Sequence, residues 1–297
     1  MANLRMLVKR RKAVRNIRKI TKTMELIATA RFKKALDRAT EAEAYTRKIA
    51  ELAADLSQNA GEVSHPLLAQ RPVKKSLLLV ITSNRGLCGG YNGSILREAN
   101  LAVRTMTAAG TPFDLEASGK RGIAFFKFQR VPRAQEYTQF EDKPSFAQVD
   151  EVASRYIDLF ISGQIDQVQV AYMKFQSASR QVAVVESLLP LSSMATPASG
   201  RREPAVPVAS KKVDYEFIPG ATGILEELIP AAFKARLFKC FLDAAVSEQI
   251  ARRVAMKSAT ENAGDLIKEI TRLYNRTRQA NITKEISELI AGSEALK

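Results

Sequence analysis

The first sixty residues contain neither glycine nor proline. Those are the two residues that most often end a helix, so the stretch reads as one long helix over 1–60. Sixty helical residues reach about 90 Å, more than one small domain can cover. A second long element must therefore pack along it. The C-terminal part supplies one: from Gly223 an apolar-periodic stretch runs to Ile290, with no proline after Pro230 and Gly264 its only later glycine.

Both stretches carry a seven-residue repeat. In the first, one seam runs through Leu7, Val14, Thr21, Ala28, Ala35, Ala42, Ile49 and Leu56. The second is read as Arg10, Ile17, Met24, Arg31, Arg38, Tyr45 and Leu52. In the C-terminal stretch the seams are Leu242, Gln249, Met256, Ala263, Ile270 and Thr277, with Ala245, Arg252, Ala259, Leu266, Leu273 and Ala280. Small, polar and basic seam residues make a poor self-zipping dimer and a good close-packed pair with a different helix. The two stretches are expected to pair antiparallel into a rod.

Between them the pattern changes. "SLLLVITS" (76–83), "FDLEAS" (113–118), "QVQVAYMKF" (167–175) and "RQVAVVESLLPL" (180–191) read as strands. Residues 91–110 and 145–163 read as amphipathic helices. Alternating strands and helices predict a central α/β domain over 75–192. Its last two strands lie too close for a crossover helix and are expected antiparallel. "MATPASGRREPAVPVAS" (194–210) lies in a Pro- and Ala-rich linker over 193–222, and the second shaft helix takes 223–297.

The net charge of +15 is concentrated. Residues 1–38 hold thirteen Lys or Arg against Glu25 and Asp37, a balance of +11. Such a face calls for an acidic partner: nucleic acid, a lipid surface or an acidic protein. No apolar run is long enough to span a membrane, and the basic N-terminus lacks the apolar segment of a secretory signal. Cys88 and Cys240 fit free thiols in a reducing compartment. With His65 the sole histidine, zinc hydrolase and Ser–His–Asp chemistry are disfavoured.

"SNRGLCGGYNGS" (83–94) follows a strand and precedes a helix, the setting of a phosphate-binding loop. The pattern does not fit. Gly93 is followed by Ser94 and Ile95, without the P-loop lysine, and glycines at 86, 89, 90 and 93 miss the dinucleotide spacing. A tight turn that holds no ligand is the better reading, and no cofactor is expected.

Four stretches carry a resemblance: "KITKTMELIATARFKKA" (19–35), "TSNRGLCGGYN" (82–92), "SEQIARRVAMKSATENAGDLIKE" (247–269) and "YNRTRQANITKEISELIAGSEAL" (274–296). In that order they resemble the gamma subunit of F-type ATP synthases; between about 110 and 215 the likeness is loose. The resemblance implies a non-catalytic central shaft. It would turn inside a ring of alpha and beta subunits, with its α/β domain touching the epsilon subunit and the membrane c-ring. Rotation would couple ion flow to ATP synthesis or hydrolysis, on the cytoplasmic face of a bacterial inner membrane.

It also implies a set of partner-facing residues: Met24 on the first helix, Arg252, Gln279 and Thr283 against the ring, and Glu285 and Glu288 in the final signature. For Arg252 the alternative is a seam residue, and for the two glutamates simple solubilising charge. Asn84 stands where the family commonly has Asp. Rival readings of the basic stretch are a nucleic-acid-binding coiled coil and a membrane-surface helix. The first lacks interleaved aromatics; the second has its apolar stripe broken by Arg31 and Arg38.

Overall fold

The computed structural model describes residues 4–59, 65–140, 143–191 and 221–295. Residues 193–220 of the expected linker lie outside them, as do the side chains of Leu52 and Leu56. The elements in chain order are α1 (Leu4–Asn59), β1 (Ser76–Ile81), α2 (Tyr91–Ala108), β2 (Phe113–Ser118), α3 (Lys120–Phe128), β3 (Gln135–Tyr137), α4 (Phe146–Ile161), β4 (Gln167–Ser177), β5 (Arg180–Leu189) and α5 (Ala221–Ala295). A single 3-10 turn, Pro66–Leu68, precedes β1. The chain divides into two compact units, residues 1–29 with 252–297 and residues 30–251.

The first unit is an antiparallel helix pair. Thr260 Oγ1 donates to Thr21 Oγ1 at 2.8 Å, and the Arg11 guanidinium lies 5.2 Å from the centre of the Tyr274 ring. Arg18 lies against Gly264. As the residue number rises on one helix it falls on the other. Leu7, Thr21 and Ala28 are buried on α1, and Met256, Ala263 and Ile270 on α5. Alanines and threonines at these levels let the two backbones approach closely.

The second unit holds a five-stranded sheet in the order β3-β2-β1-β4-β5. β1 pairs parallel with β2 and β4, β2 pairs parallel with β3, and β5 closes the edge antiparallel to β4. The sheet is buried on both faces, and successive residues alternate between them. Leu77, Leu79 and Ile81 pack with Val149, Tyr156 and Phe160 of α4 and Phe233, Leu237 and Phe241 of α5. Leu78 and Val80 pack with Ile95 and Ala99 of α2 and Phe126 of α3. In this unit α1 also lies along α5, where Ala35 and Ala39 meet Leu242, Val246 and Ile250. Ile49 meets Ala232 and Ala235.

The sequence reading misses two elements, α3 and β3, and one seam on each long helix holds only in part. Ala245 and Arg252 are buried and Met24, Arg31, Arg38 and Ala259 half-buried, while the other described side chains of those seams turn outward. On α1 Ile17 and Tyr45 point outward, and both are exposed. The packed set falls one residue later, at Phe32, Ala39 and Thr46. On α5 Leu266 and Leu273 are exposed, whereas Thr260, Ile267 and Tyr274 are half-buried. One residue turns the helix by about 100°. That rotation takes Arg10 out to solvent and brings Phe32 and Ala39 to the partner helix.

Candidate functional site

The glycine-rich loop after β1 is closed by its own side chains. Asn92 Oδ1 accepts from the Ser83 amide at 3.0 Å, and Asn92 Nδ2 donates to Ser83 Oγ at 2.8 Å and to Cys88 Sγ at 3.2 Å. Ser83 Oγ donates to the Arg85 carbonyl at 2.6 Å. The end of the Arg121 side chain lies over Gly86. Asn84 answers the departure noted above. Its amide donates to the carbonyls of Thr138 and Phe140 at 3.0 and 3.1 Å, and its oxygen accepts from the Lys120 amide at 3.1 Å. An aspartate there would keep only the last bond, because a carboxylate has no donor.

The strand order reverses between β1 and β4, where open α/β sheets hold their ligands. Here α5 packs against that place. Tyr91 Oη donates to the Ala244 carbonyl at 3.1 Å, and Ser247 Oγ donates to the Met173 carbonyl at 3.3 Å. With the loop knitted shut and the crevice sealed, the isolated chain is expected to show no saturable ATP binding in the micromolar range. Isothermal calorimetry checks this, and a stoichiometric binding heat would refute it.

Two polar clusters, each holding a buried tyrosine, brace the second unit. Glu116 of β2, 1% exposed, accepts from Tyr137 Oη at 2.8 Å, from Tyr156 Oη at 2.6 Å and from Arg155 Nη2 at 2.6 and 2.7 Å. Burial, then the Glu116 charge, pushes both tyrosine hydroxyls well above their ordinary range. The second cluster centres on Glu186 of β5. It accepts from Tyr172 Oη at 2.8 Å, and Lys174 and Arg236 reach it at 3.4 and 3.3 Å. Burial raises the Glu186 carboxyl, but Lys174, the Tyr172 hydroxyl and Arg236 together hold it below the usual range. Both cysteines are free and buried, and burial pushes the Cys240 thiol up to about 12. Among the described residues no three potential metal ligands gather.

The partner-facing residues implied by the resemblance fall in the first unit. Met24 is half-buried on α1, and Arg252, 8% exposed, starts the α5 portion of the unit. The Thr21–Thr260 contact sets Met24 level with residues near 257, within about two turns of Arg252. Gln279, Thr283, Glu285 and Glu288 are exposed near the end of α5, and Glu288 pairs with Lys284 at 3.4 Å. Gln279 lies 27 residues past Arg252, about 40 Å along the helix, so the two form separate clusters.

Sequence reasoning missed two exposed apolar stripes in this unit, one on paired α1 and one on the end of α5 beyond the pairing. Ile17, Ile20 and Ile27 are exposed on α1, and Ile282, Ile286, Leu289 and Ile290 on α5. Each set repeats at helical spacing and forms one stripe. The signal was present, but Ile17 was assigned to a seam and the other residues to no face at all.

A family model described as ATP synthase matches residues 3–296. The chain is 50% identical over 298 residues to the ATP synthase gamma chain of Rhodopirellula baltica, covering 100% of both. It is 38% identical over 297 residues to that of Leptospira biflexa, again covering 100% of both. Among solved structures, the rotor of the Euglena gracilis mitochondrial ATP synthase superposes with a TM-score of 0.60. That match is 19% identical and covers 94% of this chain and 98% of the other, a likeness of fold alone. Half-identical end to end with a gamma chain and matched by the family model over nearly its whole length, the chain belongs to the ATP synthase gamma chain family.

Proposed function

We propose that the chain is the central-stalk rotor subunit of an F-type ATP synthase. It is not itself catalytic; its rotation couples ion flow through a membrane ring to ATP synthesis or hydrolysis in the catalytic ring. The observation that carries this reading is the pair of exposed apolar stripes, one on the outside of α1 and one on the end of α5. Soluble helices expose such stripes where a partner covers them. A ring of alpha and beta subunits would act as the sleeve, with the epsilon subunit and the c-ring as further partners. The basic face of α1 suits acidic loops on the beta subunits.

In this reading Met24 and Arg252 meet the ring at one level, and Gln279 and Thr283 at another about 40 Å away. Glu285 and Glu288 lie beside the second. Hydrogen bonds let polar groups exchange partners among successive stator faces at modest cost, each being worth about 0.5–1.5 kcal/mol. The complex is membrane-associated, and we place this subunit peripherally on the cytoplasmic face of a bacterial inner membrane. No helix among the described residues is long and apolar enough to cross a membrane.

Purification through a tag on this chain, followed by mass spectrometry, tests the assignment. Alpha, beta, epsilon and c subunits should co-purify, and their absence would reject it. Gln279→Leu should leave assembly intact and lower ATP-driven ion pumping by about two- to tenfold. Combined with Arg252→Leu, the losses should multiply, because the sites are far apart. Wild-type pumping in both single variants would make these residues structural.

A further inference from the structure

Asp243 lies on the part of α5 that packs against β4, β5 and α1, and it is 4% exposed. Its carboxyl group makes no hydrogen bond and no ion pair among the described residues. The charges around it come from every packed element: Lys239 on α5, Glu43 on α1, Lys174 on β4 and Glu186 on β5. The two lysines are already engaged. Lys239 pairs with Glu43 at 3.5 Å and Lys174 with Glu186 at 3.4 Å, while Arg236 also turns to Glu186. Tyr172 and Cys240 lie near enough that a charge on Asp243 would raise the pKa of both. A carboxylate so largely removed from water, with no donor or free cation of the protein paired to it, is costly, and the cheapest remedy is to bind a proton.

We propose that Asp243 is a proton-binding site of the second unit, occupied when α5 is seated on the sheet and on α1, and that losing this proton loosens the seat.

Burial, with Glu43 and Glu186 adding to it and Lys239 and Lys174 opposing, pushes the Asp243 carboxyl from 3.8 up to about 7. A raised carboxyl pKa means the folded chain holds a proton that the unfolded chain has released. Stability from this group therefore falls as pH rises from about 4 to about 7, and stays at its lowest level above that. His65 has the opposite sign: burial lowers its pKa despite Glu226, so its contribution grows as pH rises toward 6.5. Glu186, held low, loses its contribution only in acid, as pH falls below its ordinary value of 4.5.

The test is urea unfolding of the full chain from about pH 5 to pH 8.5, in a His65→Asn background that removes the opposing group. The folding equilibrium constant should fall by up to about tenfold per pH unit between about pH 5 and pH 6.5. Asp243→Asn copies the neutral acid, so it should flatten that slope and make the chain more stable than its parent at about pH 8. An unchanged slope in Asp243→Asn overturns the proposal. If that variant does not fold, carboxyl-carbon NMR of the Asp-labelled parent decides. A resonance with its midpoint between about 6 and 8 supports the site, and all midpoints below about 5 reject it.

Discussion

Glu116→Ala is expected to cost the sheet unit about 2–4 kcal/mol, chiefly from two buried tyrosine hydroxyls left without their acceptor at about 1–3 kcal/mol each, with the half-exposed Arg155 adding little. The carboxylate is the hub on which β2, β3 and α4 converge. Without it Tyr156, which is fully buried, keeps a hydroxyl with no acceptor, and Arg155 loses both short contacts. For a domain of this size the thermal midpoint should drop by about 4–16 °C. Glu116→Gln keeps an acceptor oxygen and should cost less than alanine. A loss of under about 1 kcal/mol for alanine, measured by urea unfolding, would mean that water or repacking replaces the carboxylate and that the hub is dispensable.

Gly119→Ala is expected to be comparably severe for a different reason. Gly119 has φ 94°, and a Cβ there would overlap the backbone carbonyl of Thr82. The carbonyl cannot withdraw. Thr82 is fixed from both sides, its amide donating to the Ser118 carbonyl at 2.8 Å and its hydroxyl accepting from the Gly122 amide at 2.9 Å. Strain at φ and displacement of β1 together should remove about 3 kcal/mol or more. Gly86→Ala is the control. Its Cβ would meet only the far end of the Arg121 side chain, which can swing away. Gly86→Ala should stay within about 1 kcal/mol of the parent, as a tolerated surface change. Equal losses at the two glycines would refute the argument.

How far the sequence carried the analysis varied with the kind of signal. Sixty residues without Gly or Pro, and five apolar residues in "SLLLVI", specify their elements almost alone. α3 and β3 escaped because "KRGIAFFKF" is short and basic and "QEY" is three residues long, too brief to show a period. The seam phase was recoverable in part. Arg10, Arg31 and Arg38 make a poor inner set when Phe32 and Ala39 sit one residue on. Its consequence for function is direct, since Ile17, read as inward, belongs to the outward stripe. The glycine spacing argued against a nucleotide, but Asn92, Arg121 and α5 as the agents of closure depend on tertiary contacts that no local pattern encodes. Asp243 likewise looks like any helical acid until the pairing of its neighbours is known.

The register of the helix pair bears on how the subunit is made. Thr21 opposite Thr260 and Arg11 opposite Tyr274 bring α1 to its first described residue, Leu4, by about residue 278 of α5. The final turns, Ile282 to Ala295, run on with no helix beside them among the described residues. Isolated helices of about 12–15 residues are marginal in water. In the free chain those backbone amides should therefore exchange with solvent far faster than those near Thr260, since local opening there breaks no tertiary packing. The tip would thus acquire its rigidity from the sleeve that receives it, and maturation would proceed from the sheet unit outward, with the end of α5 the last segment to settle.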